Sequence, residues 1–467
     1  MSNQNSHDDP SVVVPRQYLF PFILVTTLFA LWGFANNLTD PMVKAFQEVF
    51  RLETWQSSLV QTAFYGGYAT MAIPAALIIR KLSFKVGILC GLGLYALGAL
   101  LFLPASMAMQ FWLFLISLYV LTFGLAFLET AANPYILSMG PAETATRRLN
   151  LAQAFNPVGS ILGATVAAQL VMPLLWVNEF RDNEFNTHPE YTEMMAADVD
   201  GKITATLDDF AASNPEQFSE KQSHDLGVIR TPYLIISLVV LGVFAMFVVT
   251  KMPNTGHSDD PIHLSEVIRN LSSFRYIGGV AAQTVYVGAQ IMCWTFIIHY
   301  GVTLLKMAPA RAATIQIGVL CLFIACRFLC WFVLHYISPG LLLGLLAVGG
   351  IITSLGTIVF ENMYGFCCLI AISAFMSAMF PTIYGIALRG LSVDDAKLGS
   401  AGLIFAIVGG CFMPPLQGRI IDLKQVTFAG MEFNAVSFSF VLPLLCFVVI
   451  AVYGFITHIM QKPSAPS

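Results

Sequence analysis

Charge is scarce in this chain. Only 11% of its 467 residues are Asp, Glu, Lys or Arg, against about 25% in soluble domains. The net charge of −4 comes without any Lys/Arg-rich run, which argues against a nucleic-acid partner. None of the nine cysteines lies in a polar stretch and no CxxC spacing occurs, so neither a disulfide framework nor a thiolate metal site is indicated. HExxH, GxSxG and Walker-type motifs are missing, which makes an enzyme the least favoured class, with no cofactor or metal expected. The first 17 residues lack the cationic start and small-residue cleavage site of a secretory signal, and the apolar run after them is too long for one. That run is therefore read as a retained first span. What the chain has in abundance is hydrophobic residues, 57% of the total, with a mean hydropathy of +0.74. This is the composition of a polytopic membrane protein.

The apolar runs are continuous and helix-length, unlike the short alternating strands of an outer-membrane barrel. Twelve are expected, near 18–42, 56–80, 86–107, 110–138, 150–174 and 231–251, then 275–304, 312–335, 338–360, 363–388, 398–421 and 436–460. The predicted class is an all-α membrane protein of twelve transmembrane helices in two six-helix bundles. The halves are 18–251 and 275–460, flanked by tails 1–17 and 461–467. Between them a linker, 252–274, contains HLSEVIRNL, a candidate short surface helix. A polar stretch, 175–230, reads as a loop between spans 5 and 6. With the N-terminus placed in the cytoplasm, the first half has six Lys or Arg on that side and two opposite. The positive-inside bias therefore puts both termini in the cytoplasm and the 175–230 segment outside.

Two carboxylates interrupt the apolar runs of the first half: Asp40, in GFANNLTDPM, and Glu129, in AFLETAANPY. An intramembrane acid is costly and marks a functional site by default. Helical spacing sets Asn36 and Asn37 beside Asp40, Asn133 one turn from Glu129, and Gln153 beside Asn156. It also aligns Gln283, Tyr286, Gln290 and Trp294 on one face, and pairs Gln61 with Tyr65. Amides, acids and rings converging on a watery cavity suit a polyhydroxylated ligand, whose hydroxyls need donors and acceptors and whose apolar face stacks on a ring. A desolvated carboxyl can also take up and release protons near neutral pH. The plainer readings are amides bridging helices, rings packing, an acid pair of structural use, and prolines and glycines serving as kinks and close contacts. Arg327, inside span 8, is open to an ion-pairing or gating role or to snorkelling.

The phrases ANNLTD (35–40), GLGLYALGA (91–99), LETAANP (128–134), RLNLAQAFN (148–156), YVGAQIMCW (286–294) and SAFMSAMFPTI (373–383) together resemble the fucose–proton symporter family of the major facilitator superfamily. They cover both halves. The resemblance implies a central cavity with alternating access and import of a monosaccharide driven by protons. It assigns proton coupling to Asp40 and Glu129. It places Asn37, Glu129, Asn156, Gln290 and Phe380 at the substrate, and helical spacing adds Asn133 beside Glu129 and Trp294 beside Gln290. Phe380 replaces a family tyrosine and removes one hydroxyl from the expected cavity, and Pro41 directly after Asp40 restricts the backbone before it. The implied partners are a monosaccharide, protons and the lipid bilayer of an inner membrane, and a monomer is expected. Sodium coupling or uniport, and a sugar sensor without turnover, are the rival readings.

Overall fold

The computed structural model describes residues 12–52, 56, 59–188, 190–191, 196–253, 269–307, 309–423, 425–428 and 430–460. Among them, twelve helices are long and apolar enough to cross a membrane. The first six spans are α1 (Leu19–Val49), α2 (Leu59–Lys81), α3 (Phe84–Leu100) running into α4 (Phe102–Ala108), α5 (Phe111–Ser138), α6 (Ala145–Gln153) with α7 (Asn156–Thr165), and α10 (Pro215–Val249). Before α10 come two further helices, α8 (Trp176–Thr187) and α9 (Ala196–Ser213). The second six are α11 (Phe274–Leu305), α12 (Pro309–Val333), α13 (Pro339–Val359), α14 (Met363–Met376) with α15 (Met379–Leu388), α16 (Val393–Phe405) with α17 (Gly409–Ile421), and α18 (Ala435–Phe438) with α19 (Val441–Ile459). A small antiparallel hairpin, β1 (Gln425–Phe428) with β2 (Met431–Asn434), joins the last two spans. It is the one departure from all-α among the described residues.

Every expected span is present, and two boundaries move substantially. The first span continues to Val49, straight through Pro41. Pro41 removes a single backbone bond, and neighbouring helices tolerate such a loss in a membrane. The polar stretch 175–230, expected as a loop, is largely helical, and the sixth span starts at Pro215. Its polarity hid a spacing of four: Val199, Ile203, Leu207 and Ala211 are all buried along α9, an amphipathic stripe. Trp176, Phe180, Phe210 and Phe218 form an aromatic cluster that joins α8, α9 and α10. The Asp225 carboxylate accepts the first N–H groups of α8, from Trp176 at 2.7 Å and Val177 at 3.1 Å. The unit is fastened to the end of α1 by Arg181–Glu48 at 2.9 Å and Arg51–Asp208 at 3.3 Å. The expected surface helix and the tails 1–11 and 461–467 lie outside the described residues, apart from the last turn of that helix.

Packing is densest within the first six spans and within the second six. Backbones approach closely where glycine permits. A Cβ on Gly159 would sit 1.9 Å from the Ala30 carbonyl oxygen, and one on Gly33 2.0 Å from that of Asn156, so α1 and α7 are held in register by the lack of two side chains. The two bundles meet chiefly at one end of the molecule, where α16 packs on α2 and α5 and α15 packs on α6. From that end inward, Lys397 lies over the Phe84 ring and Gly385 abuts Thr146. Deeper still, Asn150 donates to Thr382 at 3.2 Å and Ser400 to the Thr130 carbonyl at 3.1 Å.

Candidate substrate cavity between the bundles

Above these contacts, a cavity of about 290 Å³ opens between the bundles. Helices from both halves line it. The middle of α1 supplies Trp32, Asn36 and Asn37, and α2 supplies Tyr65. The α6–α7 break supplies Gln153 and Asn156, and α11 supplies Tyr286, Gln290 and Trp294. Arg327 of α12 and Phe380 of α15 also stand in the wall. Five of the residues placed at the substrate by sequence therefore converge: Asn37, Asn156, Gln290, Trp294 and Phe380. They come from four separate spans, and helical periodicity aims each inward.

Their hydrogen bonds leave polar capacity free for a ligand. Asn156 donates to the Phe29 carbonyl at 3.2 Å and Asn37 to the Gly33 carbonyl at 3.3 Å, so each amide oxygen can still accept. Trp294 donates to Ser373 at 3.2 Å and stands edge-on to Phe323. Phe380 lies between Tyr286 and Tyr384. With no hydroxyl at Phe380, that corner is an apolar ring face.

Glu129 and Asn133 sit behind this wall. Glu129 is 2% exposed, and among the described residues neither carboxyl oxygen has a hydrogen-bond partner. Asn133 donates to the Glu129 carbonyl at 2.9 Å and accepts from the Gln153 side chain at 2.7 Å. Gln153 is thus a helix bridge that also faces the cavity. Glu129 lies within electrostatic range of Tyr68, whose hydroxyl accepts from the Trp32 indole. The backbone of Asp40 is helical within α1; its side chain, and that of Gln61, lie outside the described residues. Gln283, expected on the same stripe as Gln290, is fully buried with its amide unpartnered among the described residues, while Tyr286 and Trp294 of that stripe reach the cavity.

Sequence reasoning missed Trp32, although its place one turn before Asn36 puts it on the same face. It left Arg327 open between an ion-pairing or gating role and snorkelling, and the structure shows neither an ion pair nor snorkelling. Arg327 is 4% exposed, so it does not snorkel. Among the described residues no carboxylate lies within ion-pairing distance of it. Its guanidinium donates to the Gln153 carbonyl at 2.9 Å and to the Ser377 carbonyl, and covers the Phe323 ring at 4.7 Å.

Comparison with known proteins agrees with this architecture. The Major Facilitator Superfamily model matches residues 22–180. The L-fucose-proton symporter of Haemophilus influenzae is 48% identical over 95% of this chain and 97% of its own length. That of Escherichia coli is 34% identical over 94% and 93%. A glucose/galactose transporter of Brucella abortus is 29% identical over 94% and 95%. The crystal structure of the major facilitator superfamily transporter FucP in the outward conformation superposes with a TM-score of 0.78 at 33% identity, covering 95% of this chain and 99% of that one. The chain belongs to the fucose–proton symporter family of the major facilitator superfamily.

Proposed function

We propose that this protein imports L-fucose, or a hexose closely related to it, together with protons by alternating access. One observation carries the reading: a cavity between two bundles, walled by amides and rings, with a buried carboxyl that has no partner among the described residues just behind it. Asn37, Asn156 and Gln290 offer the sugar hydroxyls donors and acceptors, and Trp294 and Phe380 offer ring faces. Asn133 and Gln153 link that wall to Glu129. A carboxylate without partners is expensive to bury, whereas its neutral acid is not. Protonation of Glu129 would therefore go with closure around the sugar, and deprotonation with its release. Asp40, one turn from Asn36 and Asn37, is assigned to couple protonation to the movement of the bundles. The lipid bilayer is an inner membrane, both termini are cytoplasmic, and the protein works as a monomer of two halves, 18–251 and 275–460. The bundle contacts then close the cytoplasmic end, and the α8–α9 unit lies outside.

The test is the external pH of weakly buffered, energy-depleted cells making the protein, as sugars are added singly. The panel is L-fucose, galactose, glucose, mannose, arabinose and N-acetylglucosamine. Alkalinisation with L-fucose or a stereochemical relative is the expected result. Labelled uptake without alkalinisation would overturn proton coupling, and a requirement for sodium would redirect it.

A further inference from the structure

Three of the hydrogen bonds that join the bundles or complete their closed end share a chemical origin. Each lands on a backbone carbonyl that a proline has set free. Proline has no N–H, so the carbonyl four residues before it loses its helical donor. Pro157 frees Gln153, Pro381 frees Ser377, and Pro134 frees Thr130. Ser400 of the second half shares its hydroxyl proton between the Lys397 carbonyl of its own helix, at 2.7 Å, and the Thr130 carbonyl of the first half, at 3.1 Å. Arg327 takes the other two carbonyls at once, Gln153 from the first half at 2.9 Å and Ser377 from its own. Both lie at helix breaks, α6–α7 and α14–α15. Gln153 and Arg327 also both line the cavity.

Alternating access requires the bundles to part at this end, and parting breaks the Arg327–Gln153 bond. A guanidinium 4% exposed, with no carboxylate beside it among the described residues, cannot be left bare without a large loss, nor can the freed carbonyl. Both groups need a replacement that accepts on one side and donates on the other. A hydroxyl does both, and one carried by a sugar already held on the cavity amides is placed there without the ordering cost of a free water.

We propose that Arg327 is a positioning residue of the transport cycle, and that a sugar hydroxyl inserts between its guanidinium and the Gln153 carbonyl. The inserted hydroxyl keeps both groups satisfied as the bundles separate, so the closed end opens with a loaded cavity and stays shut with an empty one. The inference rests on the sugar-transport reading above and adds the group that makes opening depend on sugar.

The experiment uses the full chain in lipid nanodiscs, with L-fucose as the probe. Hydrogen exchange is followed in peptides covering 145–153 and 379–388, and binding by the fluorescence of Trp32 and Trp294. In the wild type, L-fucose should raise exchange in both peptides. Arg327→Gln should exchange fast without sugar, show no further rise with it, and bind L-fucose about tenfold or more weakly, the scale of a lost charged hydrogen bond. Pro157→Ala supplies an N–H that recaptures the Gln153 carbonyl while Arg327 stays in place. It should show the same sugar-independent exchange, and it carries the test if Arg327→Gln fails to fold. Arg327→Lys should restore affinity in part and sugar dependence not at all, since one ammonium cannot hold two carbonyls in a fixed fork. Sugar-dependent exchange and affinity unchanged in Arg327→Gln or Pro157→Ala would overturn the proposal. So would a wild type that binds L-fucose with no change in exchange, and transport would then still stand. A wild type that binds no sugar of the panel would overturn both readings together.

Discussion

Glu129 was found in the sequence because it is an acid in an apolar run, and it is buried with neither carboxyl oxygen hydrogen-bonded among the described residues. Glu129→Gln keeps the shape and removes the titration. It is expected to abolish accumulation against a gradient while leaving exchange of labelled sugar across the membrane, measured as counterflow. Accumulation by that variant would remove Glu129 from the coupling step. The amides and rings at the cavity were equally legible, because a polar residue inside a span has few reasons to be there. Arg327 was visible as an anomaly, but its use was not. A readable signal did exist, in the prolines four residues after Gln153 and Ser377. It marks two orphaned carbonyls, and no linear pattern says that one side chain from a third helix reaches both.

At the scale of elements, hydropathy located all twelve spans and misjudged the stretch between the fifth and the sixth. Polar composition there concealed a helix whose buried stripe is Val199, Ile203, Leu207 and Ala211. Asp225 is the keystone of that unit, fully buried and capping α8 with both oxygens. Asp225→Ala leaves two N–H groups at the start of α8 without acceptors, a loss of about 1–2 kcal/mol. The expected outcome is faster hydrogen exchange across 176–187 with sugar uptake reduced far less than by Glu129→Gln. Exchange equal to the wild type would show that the cap does not hold α8. The breaks within spans 5 and 10 follow the same logic as the cap. Each is a helix whose local rule is broken by proline, with the orphaned group satisfied by a distant partner.

At the scale of the whole molecule, the closed end is a set of contacts between surfaces that must come apart in every cycle. Thr146 and Gly385 face each other across it, a Cβ built on Gly385 lying 3.0 Å from that of Thr146. This is near the separation a disulfide requires after a small adjustment. The double variant Thr146→Cys with Gly385→Cys should lose uptake on mild oxidation and regain it on reduction, while each single variant is insensitive. Uptake that persists with the bridge formed would mean that the bundles do not part there. The sequence by itself determined the membrane class, the count of spans and the identity of most polar groups, because hydrophobic length and the cost of burying polar atoms act on each segment alone. The tertiary structure alone decided that Asn37, Asn156, Gln290, Trp294 and Phe380 share one cavity, that Glu129 stands behind it, and that Arg327 ties two broken helices. Those outcomes depend on how helices far apart in the chain rotate and pack against one another, and helical periodicity says only which residues share a face.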